Sequence, residues 1–198
     1  MTAPEDPARP EESILLLRRI QAGEDSAWTA LYHRYRDQLI LSIRCRLGPA
    51  LRARLGSEDI LQSVFKDALT DLARFHPQHD RALNHYLHTC ALNKIRNKAD
   101  YYGARKRQGE VPLSDSLIAR HAAPEGAEPG YHDDGRYEAL ERALLHLPEE
   151  MREVVLLRRI EGLSNLETAE ILGKSPEATS KIHNRALARL ALALRSTP

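Results

Sequence analysis

The sequence predicts an all-α protein of two small helical domains, a four-helix front module and a shorter rear module, joined by a flexible linker. Three observations lead there. Apolar residues recur at three- and four-residue steps through most of the 198 residues, the spacing of helix faces. Leu, Ala and Arg are abundant and aromatics amount to only 5%, a helix-former's composition. Between residues 108 and 135 the periodicity stops, and Pro112, Pro124, Pro129, Gly126, Gly130 and Gly135 interrupt the chain.

Residues 1–12 form an acidic, proline-rich stretch, expected to be a disordered tail and unlike a secretory signal. Ser13 can cap a short helix carrying Leu16, Leu17 and Ile20, which Gly23 stops. A long helix follows, with Trp28, Leu31, Tyr35, Leu39, Ile43 and Leu47 on one face and Gly48-Pro49 at its end. Ser57 caps a third helix with Glu58 and Asp59 in its first turn, where the helix dipole favours acids. Its stripe runs through Leu61, Val64 or Phe65, Ala68, Leu72 and Phe75. After Pro77 a fourth helix carries Leu83, Leu87, Cys90, Ala91 and Ile95. Four such helices close a core over residues 13–107.

Residues 136–198 form the rear module. Tyr137, Leu140, Leu144 and Leu147 make one helix, and Met151, Val154, Val155 and Leu157 make the next, stopped by Gly162. Ser164-Asn165-Leu166-Glu167 is a capping-box pattern, and Gly173 ends that helix. Ser175-Pro176-Glu177 opens a last helix through Ile182, Ala186 and Leu190. Two capped helices around a glycine turn are a helix-turn-helix. On the second of them Ser180, Lys181, Asn184 and Arg185 lie away from the apolar stripe. They can reach base edges or phosphates in a major groove.

Charge supports a polyanionic partner. The net charge is +1, but residues 11–107 carry 17 basic and 11 acidic groups, whereas residues 108–135 carry 1 and 6. On the fourth helix Asn93, Arg96, Asn97 and Asp100 share one face, and Lys94, Lys98, Tyr101 and Arg105 a neighbouring one. Basic groups neutralise phosphates and tyrosine rings stack on unpaired bases. Cys45 and Cys90 fall on apolar faces and are expected to be buried small hydrophobes. No apolar run reaches the ~18 residues of a bilayer span, so a soluble, cytoplasmic protein without a membrane segment is expected.

The stretch LPEEMREVVLLRRIEGLSNLETAEILGKSPEATSKIHNRALARL resembles region four of the extracytoplasmic-function sigma factors, which binds the minus-thirty-five promoter element. SEDILQSVFKDAL resembles their region two, whose Asp-apolar-apolar-Gln-x-x-Phe pattern faces RNA polymerase; Asp59, Ile60, Leu61, Gln62 and Phe65 match it. YLHTCALNKIRN resembles the promoter-melting helix, with Tyr86 where the family usually has Trp. Lys174 and Thr179 stand where the family's helix-turn-helix usually has apolar residues, and Ile182 where it often has a basic one.

The resemblance implies a non-enzymatic initiation factor with no cofactor or metal. Its partners would be core RNA polymerase, promoter DNA and an anti-sigma factor. Tyr86, Asn93, Arg96, Asn97, Lys98, Tyr101 and Arg105 would meet minus-ten DNA, and Ser180, Lys181, Asn184 and Arg185 minus-thirty-five DNA. Two alternatives stand beside it. One is a stand-alone helix-turn-helix regulator, which leaves the Asp59-to-Phe65 pattern unexplained. The other is a metal-dependent enzyme using His76, His79, Asp80, His85 and His88, for which no partner Cys or HExxH appears.

Overall fold

The computed structural model describes residues 10–52, 55–77, 81–107 and 136–195. The expected linker and residues 1–9 of the expected tail lie outside them. The front module comprises α1 (Pro10–Gln21), α2 (Asp25–Arg46), the short α3 (Pro49–Arg52), α4 (Ser57–Asp71) with a 3-10 turn at Leu72–Arg74, and α5 (Ala82–Arg107). The rear module comprises α6 (Arg136–Leu145), α7 (Glu149–Val155) continued by a π-type turn at Leu156–Ile160, α8 (Asn165–Leu172) and α9 (Pro176–Arg195).

Two helix starts differ from the sequence expectation. α1 begins at Pro10, since proline is favoured in a first turn, and runs through the end of the expected tail. Ser13 is therefore no cap; it is buried and its hydroxyl accepts from Tyr35 Oη at 2.7 Å and Arg34 Nε at 3.1 Å. Likewise Ser57 is the first residue of α4 behind Gly56, and its buried hydroxyl accepts from Arg44 Nε at 3.2 Å. In both cases a polar side chain from α2 claims the hydroxyl that would otherwise cap the helix.

The front core gathers Leu17, Leu31, Leu39, Ile43, Leu61, Val64, Leu72, Leu87 and Ile95 between α1, α2, α4 and α5. Helix α2 has a second buried face. Leu41 and Cys45 pack with Ala143, Leu144, Leu147, Val155, Leu156, Ala186 and Leu190 of the rear module. Residues 38–45 are consequently buried without a break, the condition of a helix enclosed on all sides. The two modules that the sequence separated by a linker thus share a core. Cys45 is buried as expected, and burial, followed by the charge of Glu141, pushes its thiol up to about 12. Cys90 is only half-buried.

Polar groups clasp the same seam. Arg46, whose side chain is only 8% exposed, sets Nη2 2.7 Å from Glu153 and 2.5 Å from Glu161. Arg44 Nη1 approaches Glu141 at 3.4 Å. Asn84 Nδ2 donates to the carbonyls of Ile160 at 3.1 Å and Glu161 at 3.0 Å, and Arg81 Nη1 to that of Gly162 at 2.8 Å. Gly162 has φ +77°, and a Cβ there would meet Arg81 Cδ at 3.1 Å, so glycine suits both the backbone and the approach.

Candidate nucleic-acid interface

The helix-turn-helix is built by its caps. Ser164 Oγ accepts from the Glu167 amide at 3.2 Å, while Glu167 Oε2 accepts from the Ser164 amide at 2.7 Å, so two orphan donors of α8 are satisfied reciprocally. Gly173 closes α8 in the left-handed conformation at φ +62°. Ser175 Oγ then accepts from the Ala178 amide at 3.2 Å and starts α9. Lys174 Nζ pairs with Glu150 at 2.6 Å, tying the turn to the start of α7.

Helix α9 buries Thr179, Ile182, His183, Ala186 and Leu190. This settles which way the helix is rotated: Ile182 points inward. Lys181, Asn184 and Arg185 are exposed, and Ser180 is half-buried at the margin. Arg185 Nε lies 3.4 Å from the Lys181 carbonyl, so the side chain folds back along its helix. Arg189 is exposed four residues further on. Sequence reasoning passed over it, although the Lys181-Arg185-Arg189 spacing puts all three on one face. Burial, then the neighbouring charges of Arg158 and Arg159, lowers the His183 pKa and favours the neutral ring beneath that face.

On α5, Asn93, Arg96, Asn97, Lys98 and Asp100 are exposed, and Tyr101 is 53% exposed with its ring 5.4 Å from that of Tyr102. The side chain of Arg105 lies outside the described ones. Two expected members of this surface are engaged elsewhere. Lys94 Nζ pairs with Asp67 of α4 at 2.6 Å. Tyr86 Oη donates to Asp71 Oδ2 at 2.6 Å and its ring packs 5.1 Å from that of Phe75. Burial first, and then that carboxylate, raise the Tyr86 hydroxyl above its ordinary value.

The Asp59-to-Phe65 pattern splits by face. Asp59 and Gln62 are exposed, whereas Ile60, Leu61 and Phe65 belong to the front core. Spacing of three and four residues around α4 forces this division, so only the two polar members present a surface.

The histidine cluster divides too. His88 is wholly buried, with Nδ1 3.9 Å from Glu161 Oε1, while His85 lines a cavity of about 240 Å³ with Arg81, Glu161, Leu163 and Glu167. Burial, then the charges of Arg46 and His85, push the His88 ring down to about 3. His76 is exposed, and His79 and Asp80 lie outside the described residues.

The family described as Sigma-70, region 4, matches residues 137–190, which span all of α6 to α9 but the ends. Similarity to single proteins extends over both modules. The chain is 31% identical over 176 residues to the ECF RNA polymerase sigma factor BldN of Streptomyces coelicolor, covering 89% of this chain and 63% of that one. It is 29% identical over 169 residues to the ECF RNA polymerase sigma factor SigD of Mycobacterium tuberculosis, covering 85% and 77%. Along most of its length the chain is thus similar to extracytoplasmic-function sigma factors. Among solved structures, the sigma factor RpoE in complex with the anti-sigma factor NepR from Bartonella quintana is 18% identical with a TM-score of 0.49, covering 95% of this chain and 97% of that one. Helix α8 and most of α9 lie within the residues that match region 4, and their capped helix-turn-helix is the part of the chain this family describes. No helix among the described residues is long and apolar enough to cross a membrane.

Proposed function

We propose that the chain binds core RNA polymerase and directs it to a subset of promoters as an alternative sigma factor. It acts in the cytoplasm as an initiation factor rather than an enzyme. The observation that carries this reading is that one chain holds a module matching region four and, ahead of it, a second helical module with exposed Asp59 and Gln62. Residues 13–107 form the domain that engages polymerase and minus-ten DNA, and residues 136–198 the domain that reads the minus-thirty-five duplex. Polymerase meets the Asp59 and Gln62 edge of α4, with Ile60, Leu61 and Phe65 supporting it from the core. Arg96, Lys98 and Arg105 neutralise phosphates, Asn93 and Asn97 offer hydrogen bonds, and Tyr101 stacks on an unpaired base. Lys181, Asn184 and Arg185, with Ser180 at the margin, face the upstream duplex. Two readers on one chain raise each other's effective concentration on the promoter. Energy for opening comes from binding the separated strands. An anti-sigma factor is a further partner, as in the complex of the Bartonella quintana protein. A stand-alone regulator is disfavoured, because relatives named as sigma factors align across both modules.

Run-off transcription with purified core polymerase across genomic promoters tests the reading. The full chain should start transcripts from a distinct promoter set, and Asp59→Ala with Gln62→Ala should weaken core binding with helical content unchanged. Absence of any chain-dependent transcript would remove the proposal.

A further inference from the structure

We infer that Asn165 is a positioning residue for recognition: it couples Pro176, in the first turn of α9, to Arg158 in the π-type turn that ends α7. The inference rests on the promoter-reading role proposed for α9. Asn165 stands first in α8, directly after the capping serine, a position where its side chain has no part in the capping box. Its amide is used twice. Arg158 Nη1 donates to Asn165 Oδ1 at 2.8 Å, and Asn165 Nδ2 donates to the Pro176 carbonyl at 2.8 Å. Only one orientation of the amide serves both partners, since a flip would set a donor against the guanidinium and an acceptor against the carbonyl. Of side chains this size, only asparagine carries both functions. Aspartate keeps the acceptor but aims a second one at Pro176.

Core packing sets the rotation of α9, but the other polar ties of this module leave its first turn less firmly held. The Ser175 cap serves only the Ala178 amide, and the Lys174–Glu150 pair, though 2.6 Å apart, is a half-exposed surface pair worth little. Arg158, by contrast, comes from a framework. In its turn the Glu161 amide reaches back to the Leu156 carbonyl and the Leu163 amide to that of Leu157, both at 2.9 Å. Such wide turns add a residue to the helix and re-aim the side chains they carry. The path therefore runs from a fixed turn, through one amide, to the end of α9 that enters the groove first. Base contacts need side chains held within about 0.5 Å of their productive place, whereas phosphate contacts tolerate displacement. Loosening this tie should blunt base discrimination more than overall affinity.

The test uses holoenzyme reconstituted from the full chain and core polymerase, with promoter-length duplexes randomised at both elements. Wild-type holoenzyme should enrich an upstream motif. Asn165→Ala and Asn165→Asp should each lower the preference for that motif over single mismatches about tenfold, one bidentate contact's worth of discrimination. Binding to unrelated duplex and its salt dependence should stay as in wild type. Arg158→Lys, which keeps the charge but not the planar donor pair, should lie between. Circular dichroism confirms that each variant is folded. A purely structural role would instead lower the melting temperature and weaken all duplexes equally. Wild-type selectivity in both folded Asn165 variants overturns the inference alone. A wild-type holoenzyme that enriches no upstream motif overturns the promoter reading, and the inference with it.

Discussion

Arg46 Nη2 sits 2.5 Å from Glu161 Oε1 and 2.7 Å from Glu153 Oε1, so one guanidinium of the front module holds two carboxylates of the rear. Burial pulls this guanidinium down, but Glu161 and Glu153 outweigh it and its pKa ends above the ordinary value. The ions are sound as a set and costly when broken. Arg46→Ala leaves two acids facing an apolar seam, a loss of about 3–5 kcal/mol. The modules should part, seen as a larger radius of gyration in small-angle X-ray scattering. A scattering profile identical to wild type would show that the apolar contact alone holds the seam.

Acid should weaken the fold through His88. Its ring is held at about 3 against an ordinary 6.5, so between those values the unfolded chain binds the proton and the folded chain does not. Stability is then complete above pH 6.5 and falls as pH drops below it, by about 1.4 kcal/mol per unit from this group alone. His183 is shifted the same way and adds to the slope. Denaturant midpoints across pH 5 to 8 measure it. His88→Leu also removes ring nitrogens that have no hydrogen-bond partner among the described residues. It should flatten the slope; an unchanged slope would place the proton elsewhere.

Lys181, Arg185 and Arg189 share the outer face of α9 but should divide its labour. Arg185→Ala is expected to cost ~1–3 kcal/mol of promoter binding and relax specificity at one base pair. Arg189→Ala should weaken all duplexes alike and reduce the salt slope by about 1, the mark of a phosphate contact. Affinity for core polymerase should not change in either variant. Footprinting at several salt concentrations separates the two effects.

Tyr101 and Tyr86 should behave oppositely. Tyr101, 53% exposed, is the ring proposed to stack on a base. Tyr101→Ala should spare closed-complex binding but reduce opening, with rescue by a pre-melted bubble. Tyr86→Phe removes the bond to Asp71 and should cost about 1 kcal/mol of stability with opening intact. Permanganate reactivity of promoter thymines reads both; normal opening by Tyr101→Ala would end the case for stacking there.

Helices were legible wherever one apolar stripe met one cap. Ser164, Gly173 and Ser175 declared the helix-turn-helix, because the local chemistry that starts and stops α8 and α9 is written in those side chains. Ser13 and Ser57 misled for the complementary reason: each hydroxyl is taken by a partner far along the chain, which spacing cannot reveal. The contact between modules escaped a reading that assigned α2 one stripe. Its signal was nevertheless present, since Leu39-Ile40-Leu41-Ser42-Ile43 offers apolar groups all round the helix. The candidate site followed the same rule. Surface residues of α5 and α9 emerged from charge and spacing, whereas the engagement of Tyr86 and Lys94 depends on α4, which only tertiary structure brings near.

The second face of α2 also gives the protein a thermal character. Parting the modules wets Leu41, Cys45, Leu144, Val155 and Leu156 together. Apolar surface entering water raises the heat capacity, so the balance between joined and parted forms must curve with temperature. Apolar contact weakens on cooling, and the seam should therefore loosen in the cold. In that sense a short run of leucine and cysteine on one helix makes the spacing of the two halves a thermometer reading, before any partner binds.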